Sequence, residues 1–253
     1  MKTSQQWTDY FKANSQQHRI DWHLLPTITQ NELKQILPSL KAWQLGETSE
    51  AKNLIRASKK YAEQINDPHY VPAVLLFIKE EQKHGNNLGK YLDAIGEERI
   101  QKDWGDTLFR KVRGWNTNME WWTLAVITVE CTAQIFYQCL KDATHCTLLK
   151  QICTDILIDE APHIQFQKER LEIIFTAKAS WQQRLTLYFY QLFFWATSLL
   201  VWYGHSKLFK AGNVGFRKYC TKMNCKYYKT IGRLKESLYG SNHKGKMAEL
   251  ATG

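Results

Sequence analysis

Two short stretches of the chain pair acids with a histidine at a spacing that a helix turns into a single face. Glu80-Glu81-x-x-His84 and Asp159-Glu160-x-x-His163 are its only Glu-x-x-His matches, and residues three apart are neighbours on a helix surface. One match alone is weak, because exposed helices are rich in both residue types. Two copies, each preceded by another carboxylate, point to metal binding. Mixed carboxylate and imidazole donors suit iron or manganese better than zinc.

Such a site needs acids from two more helices. Glu130 and Glu160 lie at nearly equal height on either side of the turn around Ala143 to Cys146, which makes them partners across a helical hairpin. In the other hairpin Glu81 is matched by Glu50, about one turn deeper, with Glu47 as the competing residue. Glu50 is favoured because Leu54, Ala57 and Tyr61 share its stripe. Each of the four acids has apolar helical neighbours, so each is expected to face a core. Buried together and unpaired, they would cost several kcal/mol each. Two divalent ions cancel their charge. The expected ligands are therefore Glu50, Glu81, His84, Glu130, Glu160 and His163. Glu80 and Asp159 are expected to orient the histidines by accepting the other ring N–H across the bundle.

The elements that must carry these residues are helical. The 253 residues are 44% hydrophobic and 13% aromatic, with five prolines, which fits a large all-α domain. Residues 1–45 read as a wrap of short helices interrupted by Pro26 and Pro38. Long helices follow over 47–65, 70–95, 120–142 and 148–175, the last containing Pro162, and residues 46–178 form a four-helix bundle with one long crossover. The Asn66-Asp67-Pro68 turn and Gly96 end the first two. Residues 179–212 contain the uncharged run 185–203, read as a fifth helix packed on the bundle or forming a dimer face. Its length also admits a membrane span or an in-plane membrane contact.

Charge is uneven. The net charge is +10, of which +9 falls in residues 205–253. Residues 213–253 are expected to be a basic tail, either a solvated one or one in contact with anionic lipid. No phosphate cradle or RNA-binding module accompanies it, so nucleic acid is not an expected partner. The six cysteines form no disulfide framework, and Cys220 and Cys225 lack the second pair that a zinc site needs. The N-terminal residues have no apolar signal core, so a cytoplasmic location is expected. His205 is expected at the surface.

In "ETSE", "EEQKH", "TVE" and "DEAPH" the chain resembles the ferritin-like di-iron carboxylate superfamily. The resemblance covers about half the sequence and implies a bundle holding two iron ions, with manganese or a mixed Fe/Mn pair as alternatives. It implies oxygen chemistry with dioxygen and an external electron donor. A four-cysteine iron site is missing, and about 80 residues follow the fourth helix, which argues against rubrerythrin-like and minimal ferritin-like forms. Phe77, Trp121 and Trp122 are expected to line an apolar substrate pocket, and Tyr61 or Tyr137 to relay an electron or proton. The leading expectation is a di-iron oxidase or oxygenase acting on a small hydrophobic or lipid-like substrate. A ferroxidase, a membrane-surface quinol oxidase and, more remotely, a tRNA-modifying hydroxylase are the alternatives.

Overall fold

A computed structural model describes residues 1–48, 50–114 and 118–235. The helices are α1 (Ser4–Asn14), α2 (Gln30–Glu47), α3 (Lys52–Ile65), α4 (Tyr70–Ala94), α5 (Trp104–Gly114), α6 (Met119–Asp142), α7 (Thr147–Thr176), α8 (Ser180–Ala211) and α9 (Phe216–Tyr227), and a π-helical turn, Tyr228–Gly232, follows α9. Among the described residues there is no strand. Helices α2, α4, α6 and α7 make the bundle, with α2 against α4 and α6 against α7. Helices α1 and α3 pack on α4, and α8 and α9 pack on α6.

The first bundle helix is not the expected 47–65 but α2. The Thr29 side chain accepts from the Glu32 backbone while Glu32 reaches back to Thr29 N–H, a capping box that starts the helix well before residue 47. Pro38 does not stop it. A proline inside a helix leaves the carbonyl four residues earlier without its donor; that carbonyl, Lys34 O, accepts from Lys207 Nζ at 2.7 Å. The helix ends at Glu47, and Ala51 takes a left-handed conformation, φ 50°, before α3 begins. Residues 30–47 are thus part of the bundle rather than a wrap, and residues 52–65 form a separate flanking helix. The other stops follow their local chemistry: Asn66 is left-handed at φ 52° after α3, and Gly96 at φ 72° follows α4.

Two apolar cores lie on either side of a polar layer. The larger joins α2, α4, α6, α7, α8 and α9 through residues such as Leu40, Leu88, Phe136, Ile156, Phe194 and Tyr219. The smaller gathers Trp7, Phe11, Leu54, Tyr70, Phe77, Trp122 and Phe166 from α1, α3, α4, α6 and α7. Along α4 the smaller core ends at Ile78 and the larger begins at Leu88. Glu81 and His84 fall between them.

The C-terminal region departs from a tail. Tyr219, Met223 and Tyr227 recur every four residues and are buried, so the basic stretch up to Lys235 folds onto the bundle with most of its charges outward and Lys226 turned inward to Gln134 of α6. The expected tail beyond it, 236–253, lies outside the described residues. Where α8 ends, Gly212 meets the backbone of α6: a Cβ there would stand 2.6 Å from both Cys139 Cα and Cys139 O. We expect Gly212→Ala to lose about 1–3 kcal/mol, read as a lower melting temperature. Gly46→Ala, inside α2 where an added Cβ meets nothing within 4 Å, should melt no lower than the parent.

Candidate metal centre

Helix α4 presents Glu80, Glu81 and His84, α6 presents Glu130, and α7 presents Asp159, Glu160 and His163. Glu80, His84, Glu130, Asp159, Glu160 and His163 are all buried. One donor atom each from Glu81, Glu130, Glu160 and His163 lies within 4.8 Å of the others, and so does one each from Glu47, His84 and Glu160. Glu160 belongs to both groups.

The two histidines are tied from outside. His84 Nε2 is 3.0 Å from Asp159 Oδ2, and His163 Nε2 is 2.8 Å from Glu80 Oε2. Each bond crosses the bundle, from α4 to α7 and back. With Nε2 as the donor to a carboxylate, the neutral ring carries its lone pair on Nδ1; in His163 the proton that Glu81 and Glu80 favour must leave before Nδ1 can take a metal. Both Nδ1 atoms are buried without a hydrogen-bond partner, as are Glu81 Oε1 and both oxygens of Glu160. Glu81 Oε1 is 2.9 Å from His163 Nδ1 and 3.8 Å from His84 Nδ1. Buried polar atoms are almost always hydrogen-bonded. Five orphaned atoms turned to one place, all of them metal-donor types, therefore fit a metal centre.

Glu50 is not among them. Its side chain is 72% exposed and pairs with Lys52, because the break at residues 48–51 puts it on the outside of α3. Glu47 takes its place from the last residue of α2. Its Oε1 accepts from Tyr137 Oη at 2.6 Å and from Trp43 Nε1 at 3.0 Å. The approach of α2 to α4 is possible because residue 85 is glycine: a Cβ there would lie 3.1 Å from the Glu47 backbone carbon and 3.1 Å from its Cβ.

Electrostatics follow from this crowding. Burial, then the charge of Glu81, pushes Glu47 up to about 8. Burial also raises Glu130, and burial and Glu130 raise Glu160 well above the usual carboxylate range. Burial alone would lower His163, but Glu81 and Glu80 outweigh it and hold its pKa well above the ordinary value. Asp159 behaves oppositely. Burial opposes its charge, yet His84, Asn14 and Lys83 hold its pKa well below the usual range.

A further layer of contacts had no signature in the sequence. Asn14 Nδ2 donates to Glu80 Oε1 and to Asp159 Oδ1, both at 2.8 Å, so one side chain joins the two carboxylates that hold the histidines. Arg19 Nη1 and Lys83 Nζ each reach both Asp155 and Asp159. Of the expected relay residues, Tyr137 touches Glu47, whereas Tyr61 lies against Tyr70 and Arg170 in the smaller core. That places Tyr61 away from the carboxylates.

A cavity of about 450 Å³ runs from Glu47, Glu81 and Glu130 outward between α5 and α8. Phe77 and Trp122 line it. Trp121 stands behind the wall, its ring 4.7 Å from Phe193, which does line it. His205 also lines the cavity instead of facing solvent. Its Nδ1 is 3.0 Å from Ser39 Oγ, its ring packs edge-on to Trp43 and Phe136, and burial lowers its pKa to about 4. It is a neutral polar group in an otherwise largely apolar wall.

No protein-family model matches the sequence, and no curated protein sequence matches it significantly. Solved structures do. A variant of an R2-like ligand-binding oxidase with an anaerobically reconstituted Mn/Fe cofactor superimposes with a TM-score of 0.65 at 16% identity, over 90% of this chain and 93% of that one. A second such variant, also anaerobically reconstituted, gives 0.63 at 15% identity over 92% of each chain. An aerobically reconstituted variant gives 0.62 at 14% identity, over 90% and 93%. The chain has the helical-bundle fold of these oxidases.

Proposed function

We propose that the chain is an oxygen-activating dimetal oxidase in which Glu47, Glu81, His84, Glu130, Glu160 and His163 hold two metal ions. The observation that carries this reading is the pair of histidines whose Nε2 atoms are engaged across the bundle while both Nδ1 atoms turn inward toward Glu81 Oε1, at 3.8 and 2.9 Å, beside the two unsatisfied oxygens of Glu160. Four carboxylates and two divalent ions make a neutral set, which removes the cost of burying the acids. Iron in both positions, or a mixed Mn/Fe pair like that of the structural neighbours, suits these donors. Such a pair supplies the one-electron steps that dioxygen reduction requires, with a reductant as the other partner.

The chain's own residues set the conditions for that chemistry. Glu80 and Asp159 fix the tautomer and orientation of the histidines, and Asn14 fixes those two carboxylates relative to one another. Tyr137 Oη donates to Glu47 Oε1, so the phenol holds its proton at the edge of the site. The cavity walls from Phe77, Ile78, Trp122 and Val126 exclude water beside Glu81 and Glu130. A chamber of this lining and volume suits a small hydrophobic or lipid-like substrate. The neutral His205 offers the one ring nitrogen not engaged by Ser39 as a polar contact in its wall. The same chamber favours oxygenation of an organic molecule over ferroxidase activity, which needs no such space.

Metal analysis of the full chain tests the ligand set. The parent should hold two ions, Glu47→Gln and His163→Ala should fall toward one or none, and Glu50→Gln should keep both. Equal loss in Glu47→Gln and Glu50→Gln would contradict the assignment. A second test uses pH. The folded pKa values of Glu47, Glu130, Glu160 and His163 are all raised, so their contribution is present at low pH and lost as pH climbs through those values. Asp159, being lowered, loses its contribution only in strong acid. Metal-free protein should therefore melt progressively lower between about pH 5 and pH 8, and adding Fe(II) or Mn(II) should flatten that dependence. A metal-free melting temperature that rises over this range would count against the buried acid cluster.

A further inference from the structure

The inner face of α8 is fixed to the bundle. Tyr190 Oη donates to Glu120 Oε1 at 2.6 Å, Tyr219 Oη donates to Ser198 O at 2.9 Å, and Leu187 and Phe194 are buried. The outer face is another matter. Trp181, Leu185, Tyr188, Leu192, Leu199 and Tyr203 are all exposed, the three aromatic ones at 68%, 65% and 78%. At about 3.6 residues per turn and about 1.5 Å per residue they fall within roughly a third of the circumference and run for roughly 33 Å. A continuous apolar row of this extent marks an interaction surface.

Charge decides what covers it. From Ile173 to Lys235 the sequence contains no Asp or Glu. Arg184 flanks the beginning of the row, Lys207 and Lys210 continue it beyond the kink at His205, and Arg217 and Lys218 follow in α9. All five are exposed, and among the described residues none has a carboxylate partner. A second copy of the chain would bring the same uncompensated positive charge to the contact. An anionic lipid surface brings the opposite sign, at about 1 kcal/mol for each basic residue near it. Tryptophan and tyrosine, with an apolar body and a polar tip, suit the level of the head groups. Although α8 is long and apolar enough to cross a bilayer, its packed inner face keeps it in the plane.

We propose that α8 docks the protein in the plane of an anionic bilayer, its outer row sunk to the boundary between head groups and acyl chains. The cavity opens at the edge of this face. Its rim includes the exposed Leu200, Leu108 and Trp104, and the Trp104 ring lies 6.1 Å from that of Tyr203. Entry of an apolar substrate from the lipid side rests on the oxidase reading, whereas the docking does not.

Vesicle flotation of the full chain tests the docking, with metal content measured on the same preparation. The protein should float with phosphatidylglycerol/phosphatidylcholine vesicles and bind pure phosphatidylcholine at least tenfold more weakly. The double variant Leu185→Glu/Leu192→Glu, at exposed positions outside the cavity, should lose at least tenfold in partition with its melting temperature kept. No flotation with anionic vesicles would overturn the proposal, as would equal binding by the folded variant. A parent dimer that this variant splits into monomers would assign the face to a second copy instead. Loss of metal with flotation intact would sink the oxidase reading alone.

Discussion

The structure depends on the burial of like charges. Glu81, Glu130 and Glu160 meet near Glu47 in a layer that has apolar packing above and below it. Without a counter-charge this arrangement works against folding, since each buried acid must either stay protonated or repel its neighbours. Much of the remaining polar architecture makes sense as a response. Histidines enter from α4 and α7, carboxylates from the opposite helix hold them, and Asn14, Arg19 and Lys83 hold those carboxylates in turn. The chain concentrates positive charge outside a negative centre.

That order explains why helices of such different character surround the bundle. Helix α1 contributes Trp7 and Phe11 to the smaller core and, at its last residue, Asn14 to the polar network. Apolar packing seats the helix, and the seated helix places one amide between Glu80 and Asp159. Helix α8 does the corresponding work on the other side, closing the cavity with Phe193 and Val201 while leaving its outer face bare. The same helix thus separates the site from water and offers a surface to a partner.

How much of this was legible in the sequence varied with the range of the interaction. The two Glu-x-x-His turns and Glu130 follow from helical spacing and hairpin heights, which are local; the crossed pairing of His84 with Asp159 and His163 with Glu80, 75 and 83 positions apart, follows instead from the need of a metal-bound imidazole for an acceptor at its other nitrogen. Glu50 departs from its expected place because the stripe it was expected to share, Leu54, Ala57 and Tyr61, packs into the smaller core and not against the carboxylates. The carbonyl that Pro38 frees in α2 is met by Lys207, far along the chain, and no local pattern announces that contact. Asn14 and Arg19 likewise act on residues more than 60 positions away. The burial of Tyr219, Met223 and Tyr227 was readable as an apolar stripe at four-residue spacing, but the density of lysines around it drew attention to charge.

The account stands on two ions lying among the six side chains. Anomalous diffraction from crystals of the full chain grown with Fe(II) and Mn(II), collected at each metal's absorption edge, tests this most directly. Two peaks are expected, one beside His84 Nδ1 and one beside His163 Nδ1, with Glu160 near both and Glu50 near neither. An ordered bundle with no anomalous peak between these histidines, or with Glu47 turned away from the peaks, would contradict it.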